Sequence, residues 1–158
     1  LMNCDVGFVE GKCNSQSIDV TAWKKDSLTI ICNSKHKLMG YKDISVADII
    51  KYEWAIREIG SGTSDALLEA LTTKYAHKLK TSIVLNNSEA IKQYVINSQS
   101  LACLSESILE QDNHNNNYNT LDVVDLRIKR SFYQLMHNNK YHSNLTTVFC
   151  EFVTEHGD

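Results

Sequence analysis

The chain has 158 residues, 42% of them hydrophobic and 22% charged, which fits one folded domain or two small lobes and excludes a disordered tail. Its 16 basic and 19 acidic residues give a net charge of −3, so the chain by itself is a poor candidate for neutralising nucleic-acid phosphates. No apolar run approaches the length of a membrane span, and the first residues carry no basic, apolar leader pattern.

From the N-terminus, Cys4 to Val9 alternates and then runs apolar, which predicts a strand turning at Glu10 and Gly11. Ile18 to Trp23 alternates again. Ser27 to Cys32 is β-branched and nearly continuous, the pattern of a strand covered on both faces. Ser45 precedes Val46, Ala47, Asp48, Ile49 and Ile50, a cap residue with an acid in the first turn, so a short helix is expected. Trp54 to Arg57 reads as a short strand.

Gly60-Ser61-Gly62-Thr63 then opens the strongest helical pattern. Leu67, Leu68, Leu71, Tyr75 and Leu79 fall on one stripe, with acids early and lysines late, as the helix dipole favours. Thr81 to Leu85 is a strand. Asn87 caps the next helix, with Ala90, Ile91, Tyr94 and Val95 on one face. Leu101 to Leu104 is a buried strand, and Ser105 caps a brief helix ending near Glu110. Gln111 to Asn119 holds five asparagines and reads as an exposed loop. Leu121 to Val124 and Ile128 to Leu135 are strand-like. Ser143 or Asn144 caps a last helix with Leu145, Val148, Phe149, Phe152 and Val153 inward. Strands alternating with helices predict an α/β fold with mostly parallel sheet.

The chemistry-bearing candidates are few. Gly60 to Ser64 lies between a strand and a helix, where glycine permits positive φ and first-turn amides with hydroxyls suit an anion. It lacks the lysine of a P-loop and the spacing of a dinucleotide fingerprint. Asn86-Asn87-Ser88 is a second turn of the same kind. Two such helix starts at one edge of a parallel sheet would share a crevice; the plainer reading of each is capping alone. The five cysteines are scattered, odd in number and without a C-x-x-C pair, so they read as reduced thiols. The six histidines have no ligand spacing, no nucleophile elbow is present, and no metal or cofactor is expected. Asp122 and Asp125 read as surface carboxylates and Lys129 with Arg130 as a solvated strand end; Arg57 and Glu58, just before the glycine turn, are placed to reach a ligand, with an edge ion pair as the default reading.

Five segments in register resemble one family. Trp54 to Thr63 is similar to the R-E-x-G-S-G-T segment of LysR-type transcriptional regulators, and Asn87 to Val95 to the family's S-x-E-A-I-K-x-x-V helix. Leu101 to Ser105 resembles its apolar strand ending in serine. Cys4 to Gly11 resembles L-D-x-G-x-V-E-G, and Asp26 to Leu38 resembles D-x-L-x-x-V…H-P-L. The resemblance implies an effector-binding domain with two Rossmann-like lobes of the periplasmic-binding-protein type II kind, the first lobe incomplete. Residues 1–33 and 131–158 would form lobe one and 34–130 lobe two, with crossings near Cys32 and Arg130. The chain then lacks the winged helix-turn-helix, and a stretch that normally opens lobe one.

By that resemblance a small anionic effector binds between the lobes at Ser61, Gly62, Thr63, Asn87 and Ser88. The chain would be a cytoplasmic, non-enzymatic sensor that pairs with a second copy and reaches DNA only through the missing domain. A transporter's solute-binding protein has the same two-lobed architecture and is the alternative. The sequence departs from the family at Ile59, where many members have proline, and at Lys37, the proline of H-P-L. Asn87 stands for a hydroxyl residue. Ser98-Gln99-Ser100 stands for G-L-G, where positive φ would cost serine more than glycine.

Overall fold

In a computed structural model the described residues are 4–11, 13, 15–110 and 117–156. The expected asparagine-rich loop falls partly outside them. The chain divides into two compact units. Unit one is Leu1–Asp26 with Arg130–Asp158, and unit two is Ser27–Lys129. The first boundary lies inside a strand, where the sequence placed it after residue 33. The reason is packing: Leu28, Ile30, Ile31 and Cys32 are all buried among unit-two residues.

Unit one holds β1 (Val6–Glu10), the first part of β2 (Ile18–Asn33), most of β7 (Ile128–His137) and α6 (Asn144–Glu155). β7 lies between β1 and β2, and β1 runs antiparallel to it, with Phe8 opposite Gln134. An aromatic group joins the elements: the Phe8 and Trp23 rings lie 4.6 Å apart, and Phe132 and Phe149 meet them edge-on. The Trp23 indole N–H donates to the Val153 carbonyl at 3.0 Å, which ties α6 to β2.

Unit two contains α1 (Val46–Ile49), β3 (Glu53–Arg57), α2 (Gly62–Ala70), α3 (Thr72–Ala76), β4 (Lys80–Leu85), α4 (Ser88–Ile96), β5 (Leu101–Ser105), α5 (Glu106–Glu110) and β6 (Tyr118–Leu121). β3 pairs in parallel with β4 on one side and β5 on the other. The end of β2 lies antiparallel between β5 and β6. The two-residue period sorts side chains to opposite faces. Ile30, Trp54, Leu101 and Cys103 meet α1 and α2, while Ile31, Ala55, Ala102 and Leu104 meet Ile91 and Val95 of α4. Every residue of β5 is buried, as its unbroken apolar run predicts. No helix is long and apolar enough to cross a membrane among the described residues.

Several expectations change. The strand expected over Leu121 to Val124 ends at Leu121, and the sheet is not mostly parallel, because β1 with β7, β2 with β5 and β2 with β6 all pair antiparallel. Ile18 to Asn33 forms one 16-residue strand, because nothing between Trp23 and Ser27 breaks extended backbone. The long helix after Gly62 is two: Thr72 adopts φ 58, so α2 stops at Leu71 and α3 starts afresh. Leu67 and Leu71 stay buried, but Leu68 turns outward. In α6 the buried residues are Thr146 and Cys150. Leu145, Val148, Phe149 and Phe152 are exposed, Leu145 at 79%. Finally, Ser98 does not take positive φ, so the missing glycine carries no cost there.

Candidate functional site

The site is built where β3 and β4 end. The two strands are parallel neighbours with Arg57 opposite Leu85, so their carboxyl ends stop level with each other. Each is followed by a turn and a helix, which brings the starts of α2 and α4 to one edge of the unit-two sheet. That edge is where α/β folds hold ligands.

The first turn needs Gly60, whose φ of 85 is a conformation other residues resist. The Ser61 amide donates to the Glu58 carbonyl at 3.1 Å, and the Asp65 amide closes the first helical turn on the Ser61 carbonyl at 3.0 Å. Ser61 stands at the N-cap in extended conformation, yet its hydroxyl makes no capping bond. Ser64 points back and donates to the Arg57 carbonyl at 2.7 Å, which fixes the helix start to the strand end. Ser61, Thr63 and Ser64 are buried, Gly62 is half-buried, and Ile59 stands fully in solvent. The dipole of α2 adds partial positive charge at its start.

The second turn is arranged differently. The Asn87 side-chain oxygen accepts from the amides of Glu89 at 2.7 Å and Ala90 at 3.2 Å, so it caps α4 itself. Asn87 is exposed, and Ser88 is half-buried beside it.

Arg57 connects the two turns. Its Nη1 donates to the Ser88 hydroxyl at 3.2 Å, while Nε and Nη2 grip both oxygens of Glu58 at 2.8 and 2.9 Å. The guanidinium beside Glu58 holds that carboxyl below the usual carboxylate range. The edge ion pair expected at these two residues is present. Its reach to α4 is what the sequence did not disclose; a strand-terminal arginine level with the next strand's capping turn was the available signal.

All five expected site residues lie on unit two, at these two turns. A cavity of about 380 Å³ in the same unit is lined by Leu28, Thr29, Glu106, Thr120, Arg127 and Lys129 among others, and by none of the five. Other candidates resolve simply. Asp125 is not an idle surface carboxylate: it accepts from the Val46 amide at 2.8 Å and so caps α1 from 79 positions away. Arg130 is not solvated; its guanidinium is paired with Asp26 and Glu10. His36 is buried, and His114 lies outside the described residues. No three His, Cys, Asp or Glu side chains gather as a metal set among the described residues.

Comparison with known proteins places the chain. The family profile described as LysR substrate binding domain matches residues 2–158. The HTH-type transcriptional regulator CysL of Bacillus subtilis is 28% identical over 130 residues, 82% of this chain and 43% of that protein. The uncharacterized HTH-type transcriptional regulator YeiE of Escherichia coli is 28% identical over 148 residues, 94% of this chain and 50% of that protein. The chain thus spans about half the length of the curated relatives it matches. The Synechocystis CcmR regulatory domain in complex with 2-PG superposes with a TM-score of 0.87 at 22% identity, covering 99% of this chain and 75% of that one. The effector-binding domain of QuiR in complex with shikimate gives 0.82 at 17% identity, covering 99% and 73%. Both share the expected periplasmic-binding-protein type II fold.

Proposed function

The chain belongs to the LysR substrate binding domain family, and from that membership we propose that it is the effector-sensing part of a LysR-type transcriptional regulator, binding a small anion at the turns before α2 and α4. The observation that carries this reading is the level ending of β3 and β4, which aligns two helix starts and one guanidinium on a single sheet edge. Ser61, Gly62 and Thr63 would donate from the first turn, and Asn87 and Ser88 would border the second. Helix starts favour anions through their amides and dipole. The two solved relatives named above carry 2-PG and shikimate, which agrees with an acidic ligand class.

Sensing here means a shift of population by differential affinity, with no bond made or broken. The two units are the lobes of the sensor, and DNA contact belongs to a winged helix-turn-helix outside this chain. The chain acts in the cytoplasm and pairs with a second copy; sedimentation at high concentration should give a dimer. The relatives matched are regulators, which favours sensing over the transporter binding-protein alternative.

Thermal melting against a panel of small carboxylates, sulfate and phosphates tests the site. A true ligand at a hundred times its Kd adds about 2.7 kcal/mol of stability, a rise of several degrees. The same ligand should lose its shift in Thr63→Val and in Asn87→Ala, and none should be turned over. A full shift retained in both variants would place the ligand elsewhere.

A further inference from the structure

Glu58 occupies the face of Arg57 that suits an incoming anion best. Nε and Nη2 form the edge of the guanidinium that matches two oxygens held side by side, and Glu58 now supplies those two oxygens at 2.8 and 2.9 Å. The guanidinium is not free to follow Glu58. Its Nη1 donates to the Ser88 hydroxyl at the start of α4, and the Arg57 backbone carbonyl accepts from Ser64 in the first turn of α2, which fixes the main chain that carries it. The side chains differ in access: Arg57 is 20% exposed and Glu58 41%. Glu58 is therefore the partner that can leave for water at little desolvation cost, while Arg57 stays between the two helix starts.

We propose that Glu58 is a resident stand-in for the effector, and that a carboxylate, phosphate or sulfate binds by displacing it from Arg57. This rests on the anion-sensing reading above and adds the group that sets affinity and selectivity within it. A ligand must present two coplanar oxygens to replace the Glu58 carboxylate. Halides and neutral molecules do not, however well they fit the amides. Glu58 also tunes the threshold: its charge must be overcome before any ligand is held, so the sensor ignores low anion concentrations.

The lowered proton affinity of Glu58 agrees with a carboxylate that remains ionised, and competes, throughout the neutral range. Glu58 lies outside the buried core, so Glu58→Gln should fold as the parent does, with an unchanged circular dichroism spectrum and melting cooperativity.

The experiment is a calorimetric titration of the chain with inorganic phosphate and with sulfate at constant ionic strength, chloride being the control. Glu58→Gln should tighten binding of both by roughly fivefold, the scale of a partly exposed ion pair removed as competitor. Arg57→Lys should weaken binding and, combined with Glu58→Gln, should cancel the gain, since an ammonium cannot offer the paired donors. If the parent binds phosphate and Glu58→Gln binds it equally or more weakly, the displacement is refuted and the anion turns stand. If neither chain binds phosphate or sulfate above chloride, the displacement falls, and the anion-sensing reading falls with it when the small carboxylates of the melting panel also give no shift.

Discussion

Asp26 and Arg130 are joined at 2.7 Å, carboxylate to Nε, with side chains only 3% and 9% exposed. They are the residues at which the chain leaves and re-enters unit one. Arg130 also reaches Glu10 at 2.7 Å and lies over the Phe132 ring. Deleting Asp26 takes the buried counter-charge away from the buried Arg130 guanidinium and leaves it the half-exposed Glu10. Asp26→Asn should therefore destabilise the protein by about 3 kcal/mol. Glu10→Gln, at the half-exposed end, should cost less than about 1 kcal/mol. Urea denaturation of the two variants checks the order; equal losses would contradict it.

His36 supplies a pH dependence. Burial pushes its pKa below the ordinary histidine value, opposed by a bond to the Gln99 carbonyl. Its Nδ1 accepts from the Leu38 amide at 3.2 Å, which requires the neutral ring with the proton on Nε2. The unfolded chain takes up a proton near pH 6.5 and the folded chain only at lower pH. The stabilisation is thus complete above pH 6.5 and declines as pH falls toward the folded-state value. Melting temperature should drop between pH 7.5 and 5.5, and His36→Gln should flatten that part of the curve. A parallel curve for the variant would assign the slope to other groups.

The thiols should separate by reactivity. Burial pushes the Cys32 thiol up to about 11, and Cys103 and Cys150 are buried too. Cys4 is exposed. Thiolate is the reacting form. At pH 8 a thiol-specific disulfide reagent should label Cys4 quickly and leave Cys32, Cys103 and Cys150 until urea unfolds the chain. Peptide mass spectrometry would assign the sites, and rapid labelling of Cys32 in the native protein would refute its burial.

Thr72 is strained without an evident partner role. It is exposed, β-branched and at φ 58. The left-handed conformation costs such a residue on the order of 1–2 kcal/mol, and glycine returns part of that as unfolded-state entropy. Thr72→Gly should raise stability by about 0.5–1 kcal/mol, and melting by about 2 °C. A melting temperature that falls would show that the β-branch makes a contact worth more than the strain.

Where local chemistry decides an element, the residues disclosed it. Ser45 with Asp48 reads as a helix start, and the Asp48 carboxylate does accept from the Ser45 amide and hydroxyl. Asn87 reads as a cap and is one. The apolar run of β5 reads as buried on both faces and is. The two turns of the candidate site were legible for the same reason. Features fixed by distant packing were not. Asp125 caps α1 across 79 positions, and Arg130 finds Asp26 across 104. The apolar stripe of α6 marks a helix correctly, yet a stripe alone does not say which neighbour covers it; here Thr146 and Cys150 face inward instead.

The unequal capping of the two turns has a consequence for how a bound guest would be felt. On α4 the Glu89 and Ala90 amides already hold the Asn87 oxygen, whereas Ser61 leaves the start of α2 uncapped by its hydroxyl. A guest at these turns would therefore meet α4 mainly through side chains. Ser88 and the arginine anchored there would then set which way round it lies.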